Sequence, residues 1–175
     1  MSQPRVFAEP VPTARLDLLP LRVEHATEMA VVLSDPALHT FIGGAPLSPG
    51  DLRARYERLV AGCPDPSVTW CNWVLRLRGS EPGASCLVGT VQATVAEDHS
   101  AEIAWVVGTP WQGRGLASEA ARGLVAWLGR RSVHTVVAHI HPAHLASAAV
   151  ATAAGLTATE EQRDGETRWR LGPGL

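Results

Sequence analysis

The segment Trp105-Val106-Val107-Gly108-Thr109-Pro110-Trp111-Gln112-Gly113-Arg114-Gly115-Leu116-Ala117-Ser118-Glu119 constrains the fold more than any other stretch of the chain. An apolar strand ends at Val107, a short turn follows, and a glycine-rich loop enters a helix. Backbone N–H groups at such a helix start have no intrahelical acceptor, and the helix dipole behind them favours an anion such as a pyrophosphate. Gly113 and Gly115 let the backbone approach a ligand closely, and Arg114 offers charge to a phosphate. An ordinary helix-start loop carries the same glycines, so the segment by itself leaves both readings open. Two other phosphate loops are excluded. A Rossmann fingerprint needs glycine or alanine where Ser118 stands, and a Walker A loop needs a lysine, of which the chain has none.

The rest of the chain arranges itself around this loop. Leu16 to Leu21 reads as a first strand, limited by Pro20, and Val23 to Leu33 as a helical stretch stopped by Asp35-Pro36. Gly43-Gly44-Ala45-Pro46 is a loop. Ser48 is the expected N-cap, with Pro49 in the first turn, of a helix that runs through Val60 and sets Leu52, Tyr56 and Leu59 on one face. Trp70 to Arg78 alternates, with Cys71, Trp73, Leu75 and Leu77 on one face. A loop at Gly79 to Ser85 leads to a strand at Leu87 to Val95, and a turn at Ala96 to Ser100 leads to another at Ala101 to Val107. Such short connections predict an antiparallel meander. Leu116 to Leu128 is an amphipathic helix, Val133 to Ile140 a strand, and Leu145 to Ala154 a small-residue helix ended by Gly155. Asp164-Gly165 joins Leu156–Arg163 to Glu166–Leu171 as a hairpin. The expected fold is a mixed α/β sheet of about seven strands, mostly antiparallel, with helices on both faces.

At 175 residues the chain accommodates one domain, 1–175, with 1–12 as a loose N-terminal segment. Its net charge of −2 lacks the basic excess of a nucleic-acid binder. All 15 basic residues are arginine, which excludes Schiff-base chemistry on lysine. Cys63, Cys71 and Cys86 form no C-x-x-C pair and fit reduced thiols. No apolar signal core follows the N-terminus and no stretch is long enough to span a bilayer, so the expected setting is cytoplasmic.

Gln112-Gly113-Arg114-Gly115-Leu116-Ala117 resembles the Q/R-x-x-G-x-G/A signature of the GNAT acyltransferase superfamily. His144-Leu145-Ala146-Ser147, running on to Ala154-Gly155-Leu156, resembles that superfamily's second block, N-x-x-S before a helix and G-F/L. Thr13-Ala14-Arg15-Leu16 to Leu19-Pro20-Leu21 is similar to the ribosomal-protein N-terminal acetyltransferase branch. The resemblance spans about residues 13–171. It implies the GNAT fold, with central strands that splay apart and a pantetheine lying in the gap against the backbone of Trp105, Val106 and Val107. It also implies acetyl-CoA as co-substrate, bound by Gln112, Gly113, Arg114, Gly115, Leu116 and Ala117, and direct transfer of an acetyl group to a primary amine, either a protein N-terminus or a small-molecule amine. His144 stands where the family has an asparagine toward pantetheine. The expected partners are an acyl-CoA and an amine acceptor, without nucleic acid or membrane; a homodimer is an open alternative. The competing class is a catalytically silent acyl-CoA-binding or regulatory module of the same fold.

Direct transfer needs a neutral amine, a polarised carbonyl and a proton for the departing thiolate. Two residues compete for the base. Glu102 faces opposite to Ala101 and Ile103 on its strand; His139 lies on the next, and an imidazole titrates near neutrality. Each has a structural reading, as a solvated carboxylate or a hydrogen-bonded histidine. The family's tyrosine acid falls at Ala151, so Ser147 is the substitute donor, or else a helix cap. Tyr56, Trp70, Asn72 and the Gly43-Gly44 loop are candidate walls for the acceptor, or core and turn residues. His139-x-His141-x-x-His144 has ligand-like spacing without a carboxylate or cysteine in the segment, and no metal is expected.

Overall fold

Alternation in the central strands decides what each face of the sheet can pack against. In β3 (Val68–Leu77) the side chains of Cys71, Trp73 and Leu75 are fully buried on one face, while Asn72 and Val74 point to the other. The structure, a computed structural model, describes residues 5–79, 81 and 83–172. The remaining strands are β1 (Val11–Pro12), β2 (Leu16–Pro20), β4 (Cys86–Ala96), β5 (Ser100–Val107), β6 (Thr135–Ile140), β7 (Thr157–Arg163) and β8 (Glu166–Leu171). They form one eight-stranded sheet in the order β1-β2-β3-β4-β5-β6-β8-β7, antiparallel except for β5 against β6. The expected count of seven misses β1, which is only two residues long.

Five helices flank the sheet: α1 (Ala26–Val32), α2 (His39–Ile42), α3 (Pro49–Ala61), α4 (Leu116–Arg130) and α5 (Leu145–Ala153). On one face α4 presses Leu116, Ala120, Ala121, Leu124, Trp127 and Leu128 into the larger core, where Trp73 meets Trp127 edge to face at 5.1 Å. On the other, α1 and α3 bury Met29, Leu52 and Tyr56 against Val74 and Leu87. Ser48 caps α3, its hydroxyl accepting from the Asp51 N–H at 3.1 Å, with Pro49 at the first helical position as expected.

The segment expected to be loose, 1–12, is tied down over residues 5–12; its first four residues lie outside the described residues, as do residues 80 and 82 of the Gly79–Ser85 loop. The cause is the buried indole of Trp73, whose Nε1–H needs an acceptor and donates to the Glu9 carbonyl at 2.8 Å. Val11 is buried, Val6 and Ala8 pack on the core, and the Glu9 carboxylate pairs with Arg131. Among the described residues no helix is long and apolar enough to cross a membrane.

Candidate active site

The central feature of the sheet is a parting. β5 and β6 are parallel neighbours only where Ser100, Ala101 and Glu102 face Thr135, Val136 and Val137. Beyond that the strands diverge, and the edge of β5 from Ile103 to Val107 has β4 on one side alone. Gly89 permits the approach on that paired side, since a Cβ there would lie 2.2 Å from the Val106 carbonyl oxygen. The splay predicted for the central strands is present, and Trp105, Val106 and Val107 lie on its free edge.

Glu102 and His139 sit at this fork as one hydrogen-bonded unit rather than as two rivals. His139 Nδ1 lies 3.0 Å from Glu102 Oε1, and because a carboxylate only accepts, Nδ1 carries the hydrogen and Nε2 keeps its lone pair in the neutral ring. Arg163, at the β7–β8 hairpin, grips the same carboxylate with both terminal nitrogens, at 2.6 and 3.2 Å. Burial pushes the Glu102 carboxyl up, but the hydrogen bonds from Arg163 and His139 outweigh it and hold the group below its ordinary range. The His139 side chain is 8% exposed and Glu102 38%, so the pair lies at the edge of the interior.

At the far end of β5 the glycine loop is built as the sequence implies. Gly113 and Gly115 adopt φ of +76° and +75°, a region that costs other residues about 1–2 kcal/mol. Gly115 is the N-cap of α4, and the first N–H groups of that helix are aimed out of its end. Gln112 Nε2 donates to the Val107 carbonyl at 3.0 Å and ties the loop to the strand end. A second tie was not legible in the sequence. The Glu119 carboxylate accepts from Thr13 Oγ1 (2.5 Å), Arg15 N (2.8 Å) and Arg15 Nε (2.8 Å), while Arg15 Nη1 donates to the Arg114 carbonyl at 2.9 Å. Arg114 itself is exposed, as are Gly113 and Gly115; Leu116 is buried and Ala117 packs on the core.

Between the sheet and α1, α2 and α3 lies a cavity of about 410 Å³. Its floor is two rungs of the sheet, Asn72, Gln92 and Ala104 in one and Thr90 and Val106 in the next, with Trp105 between. Tyr56, Gly43 and Gly44 form part of its roof. Trp70 does not line it. Register places Trp70 opposite Thr94, and Thr94 opposite Glu102, which is the neighbouring rung. The Glu102–His139 pair therefore sits one rung, about 7 Å along the strands, from the cavity floor on the same face of the sheet.

The loop after β6 meets α2. The Phe41 ring stacks on His144 at 4.3 Å and 13°, and tilts against His141 at 5.3 Å. His144 is the N-cap residue of α5 without capping it through its side chain; Ser147, in the first turn, has its Oγ 3.4 Å from His144 Nε2 and is no cap. Burial and the neighbouring His141 lower the His144 imidazole's affinity for a proton. The three histidines do not converge: His139 goes to Glu102, His141 Nδ1 accepts from the Ala143 N–H, and His144 faces Phe41 and Ser147. Among the described residues no three His, Cys, Asp or Glu side chains gather as metal ligands would.

The splayed mixed sheet and the glycine-rich helix start at its open end are accompanied by a family profile in the sequence. The family described as "Acetyltransferase (GNAT) domain" matches residues 15–157, and the chain belongs to it. A comparison with curated proteins by sequence finds no match. Among solved structures, RimL, a ribosomal L7/L12 alpha-N-protein acetyltransferase in complex with coenzyme A, aligns with a TM-score of 0.75 at 17% identity, over 93% of this chain and 97% of that one. An acetyltransferase from Agrobacterium tumefaciens aligns at 0.73 and 21% identity, over 99% of each. The microcin C7 self-immunity acetyltransferase MccE, in complex with acetyl-CoA and AMP, aligns at 0.73 and 15% identity, over 91% and 93%. These likenesses define the fold.

Proposed function

We propose that the protein is an N-acetyltransferase that moves an acetyl group from acetyl-CoA directly to a primary amine, and that the hydrogen-bonded Glu102–His139 pair at the fork of β5 and β6 receives the amine proton. That pair is the observation that carries the reading. Glu102 fixes the imidazole tautomer so that Nε2 is the basic nitrogen, and its charge stabilises the imidazolium once the proton has arrived. Arg163 keeps Glu102 ionised and oriented. Glu102 is thus a positioning residue and His139 the base.

The remaining roles follow from position. The free backbone edge of Trp105, Val106 and Val107 pairs with the pantetheine amides, and the N–H groups of Gly113 to Ala117 with Arg114 hold the pyrophosphate. Gln112 keeps the loop docked on β5. His144 takes the place of the family's asparagine beside the pantetheine, and Ser147, whose Oγ lies 3.4 Å from His144 Nε2, passes its proton to the thiolate and takes one back from solvent. Tyr56 and Asn72 line the acceptor's side. Three unpaired cysteines, Cys63, Cys71 and Cys86, fit a reducing cytoplasm and take no part, Cys71 being pushed up to about 11 by burial.

A second reading, an acyl-CoA-binding module without turnover, is favoured by one observation. Ala151, where the family carries its tyrosine, is fully buried and has no proton to give. A panel of primary amines with acetyl-CoA, followed by free-thiol release and product mass, separates the two. Acetylated product supports transfer; tight acetyl-CoA binding with no product from any amine supports the module.

A further inference from the structure

The cavity above the sheet has a chemical bias that narrows the acceptor. Most of its wall is aliphatic, with Leu21, Leu33, Leu38, Ile42, Leu52 and Leu59 among the lining residues, and it contains no aspartate or glutamate. The charged residue that lines it is Arg55, on α3. The neighbouring Arg53 has Glu57 as a partner, whereas Arg55 pairs with no carboxylate among the described residues.

Tyr56 also lines the cavity, but it is 3% exposed and its hydroxyl is sealed from solvent, with no hydrogen-bond partner among the described residues. His39 lines the same wall, with its Nδ1 3.1 Å from the Gly43 carbonyl.

We infer that the acceptor is a small amphipathic amine bearing a carboxylate, an apolar amino acid or a close analogue, whose carboxylate is taken by Arg55 and whose body fills the aliphatic wall. The inference rests on the transfer reading above and adds its substrate class. A polyamine or aminoglycoside would bring several ammonium groups into a cavity with no carboxylate to receive them, which is strongly unfavourable. The size agrees: about 410 Å³ lies within the range of sites that enclose small molecules.

The test is calorimetric binding of phenylalanine, phenylalaninamide, spermidine and a serine-initiated peptide amide to the protein in the presence of CoA, with the same probes as substrates for acetyl-CoA. The amino acid is expected to bind roughly tenfold or more tightly than its amide, the scale of one charge-assisted hydrogen bond. Arg55→Gln, on an exposed helix surface, is expected to abolish that preference with CoA affinity unchanged. Equal binding of acid and amide, no binding of either, tighter binding of spermidine or of the peptide, or a preference that survives Arg55→Gln would each overturn the inference. A carboxylate preference without acetylated product would keep the inference and remove the transfer reading; acetylation without that preference would do the reverse.

Discussion

The donor end and the acceptor end of this protein are built in different ways. At the proposed donor end the groups on offer are backbone N–H groups of one continuous stretch, Gly113 to Ala117, in a conformation fixed by two left-handed glycines and braced by Glu119, Arg15 and Gln112. At the proposed acceptor end the groups are side chains drawn from β3, β4, β5, α1, α2 and α3, and two polar atoms of lining residues, the Tyr56 hydroxyl and His39 Nε2, have no partner among the described residues. A backbone cradle suits a cosubstrate common to a whole family, since it depends on conformation more than on side-chain identity. A side-chain cavity changes with every substitution, which suits the part that must differ between family members.

Breaking the cradle should have the larger effect on binding. Gly115→Glu places a side chain at φ +75° and a carboxylate against the expected pyrophosphate. We expect acetyl-CoA affinity to fall by about two orders of magnitude, as strain of roughly 1–2 kcal/mol adds to charge repulsion. Calorimetry on the folded variant checks this, and unchanged affinity would remove the loop from the site. Glu119→Ala should act one step further back. It leaves Thr13 Oγ1 and the Arg15 N–H groups without their carboxylate, so a stability loss of about 1–3 kcal/mol is expected, with acetyl-CoA affinity falling less than in Gly115→Glu. Thermal unfolding with and without acetyl-CoA measures both.

On the other side, Ser147→Ala should reduce turnover about tenfold while donor affinity and melting temperature hold, because Ser147 is in the first turn of α5 and does not cap it. A loss of activity matched by a loss of stability would return Ser147 to a structural role. The smallest effect is spectroscopic. Tyr56 is the single tyrosine, and burial raises its phenol to about 12. Its folded value exceeds the unfolded one near 10, so the contribution to stability is intact below about pH 10 and is lost as pH rises toward 12. Ultraviolet titration should therefore show no phenolate while the protein stays folded near pH 10.5; ionisation at about pH 10 with the fold intact would mean that the hydroxyl is wet.

The same contrast explains what could be read from the sequence. The glycine loop, the Ser48-Pro49 start of α3 and the Asp164-Gly165 hairpin are local signals, and each element formed where its residues said. Asp35-Pro36 carried two messages, and only one was legible. It stops α1, but Asp35 also accepts from the Ala37 N–H at 2.9 Å and starts the turn that leads into α2, which brings Phe41 over His144. Arg163 gave no signal because it meets Glu102 across 61 residues of sequence, through a hairpin docked against β6. For the same reason Glu102 and His139 read as alternatives: their pairing depends on a three-residue parallel register that no local pattern encodes.

The central claim is that donor binding and proton transfer reside in separate parts of the molecule, the second in the Glu102–His139 pair. The most direct test is the single-turnover rate of His139→Gln at saturating acetyl-CoA and neutral pH, with acetyl-CoA affinity measured on the same preparation. The account predicts a rate reduced by about 10²–10⁴-fold, the scale of a general-base contribution, with affinity within about twofold of the parent protein. A rate near that of the parent protein, or a loss matched by a parallel loss of acetyl-CoA affinity, would contradict it.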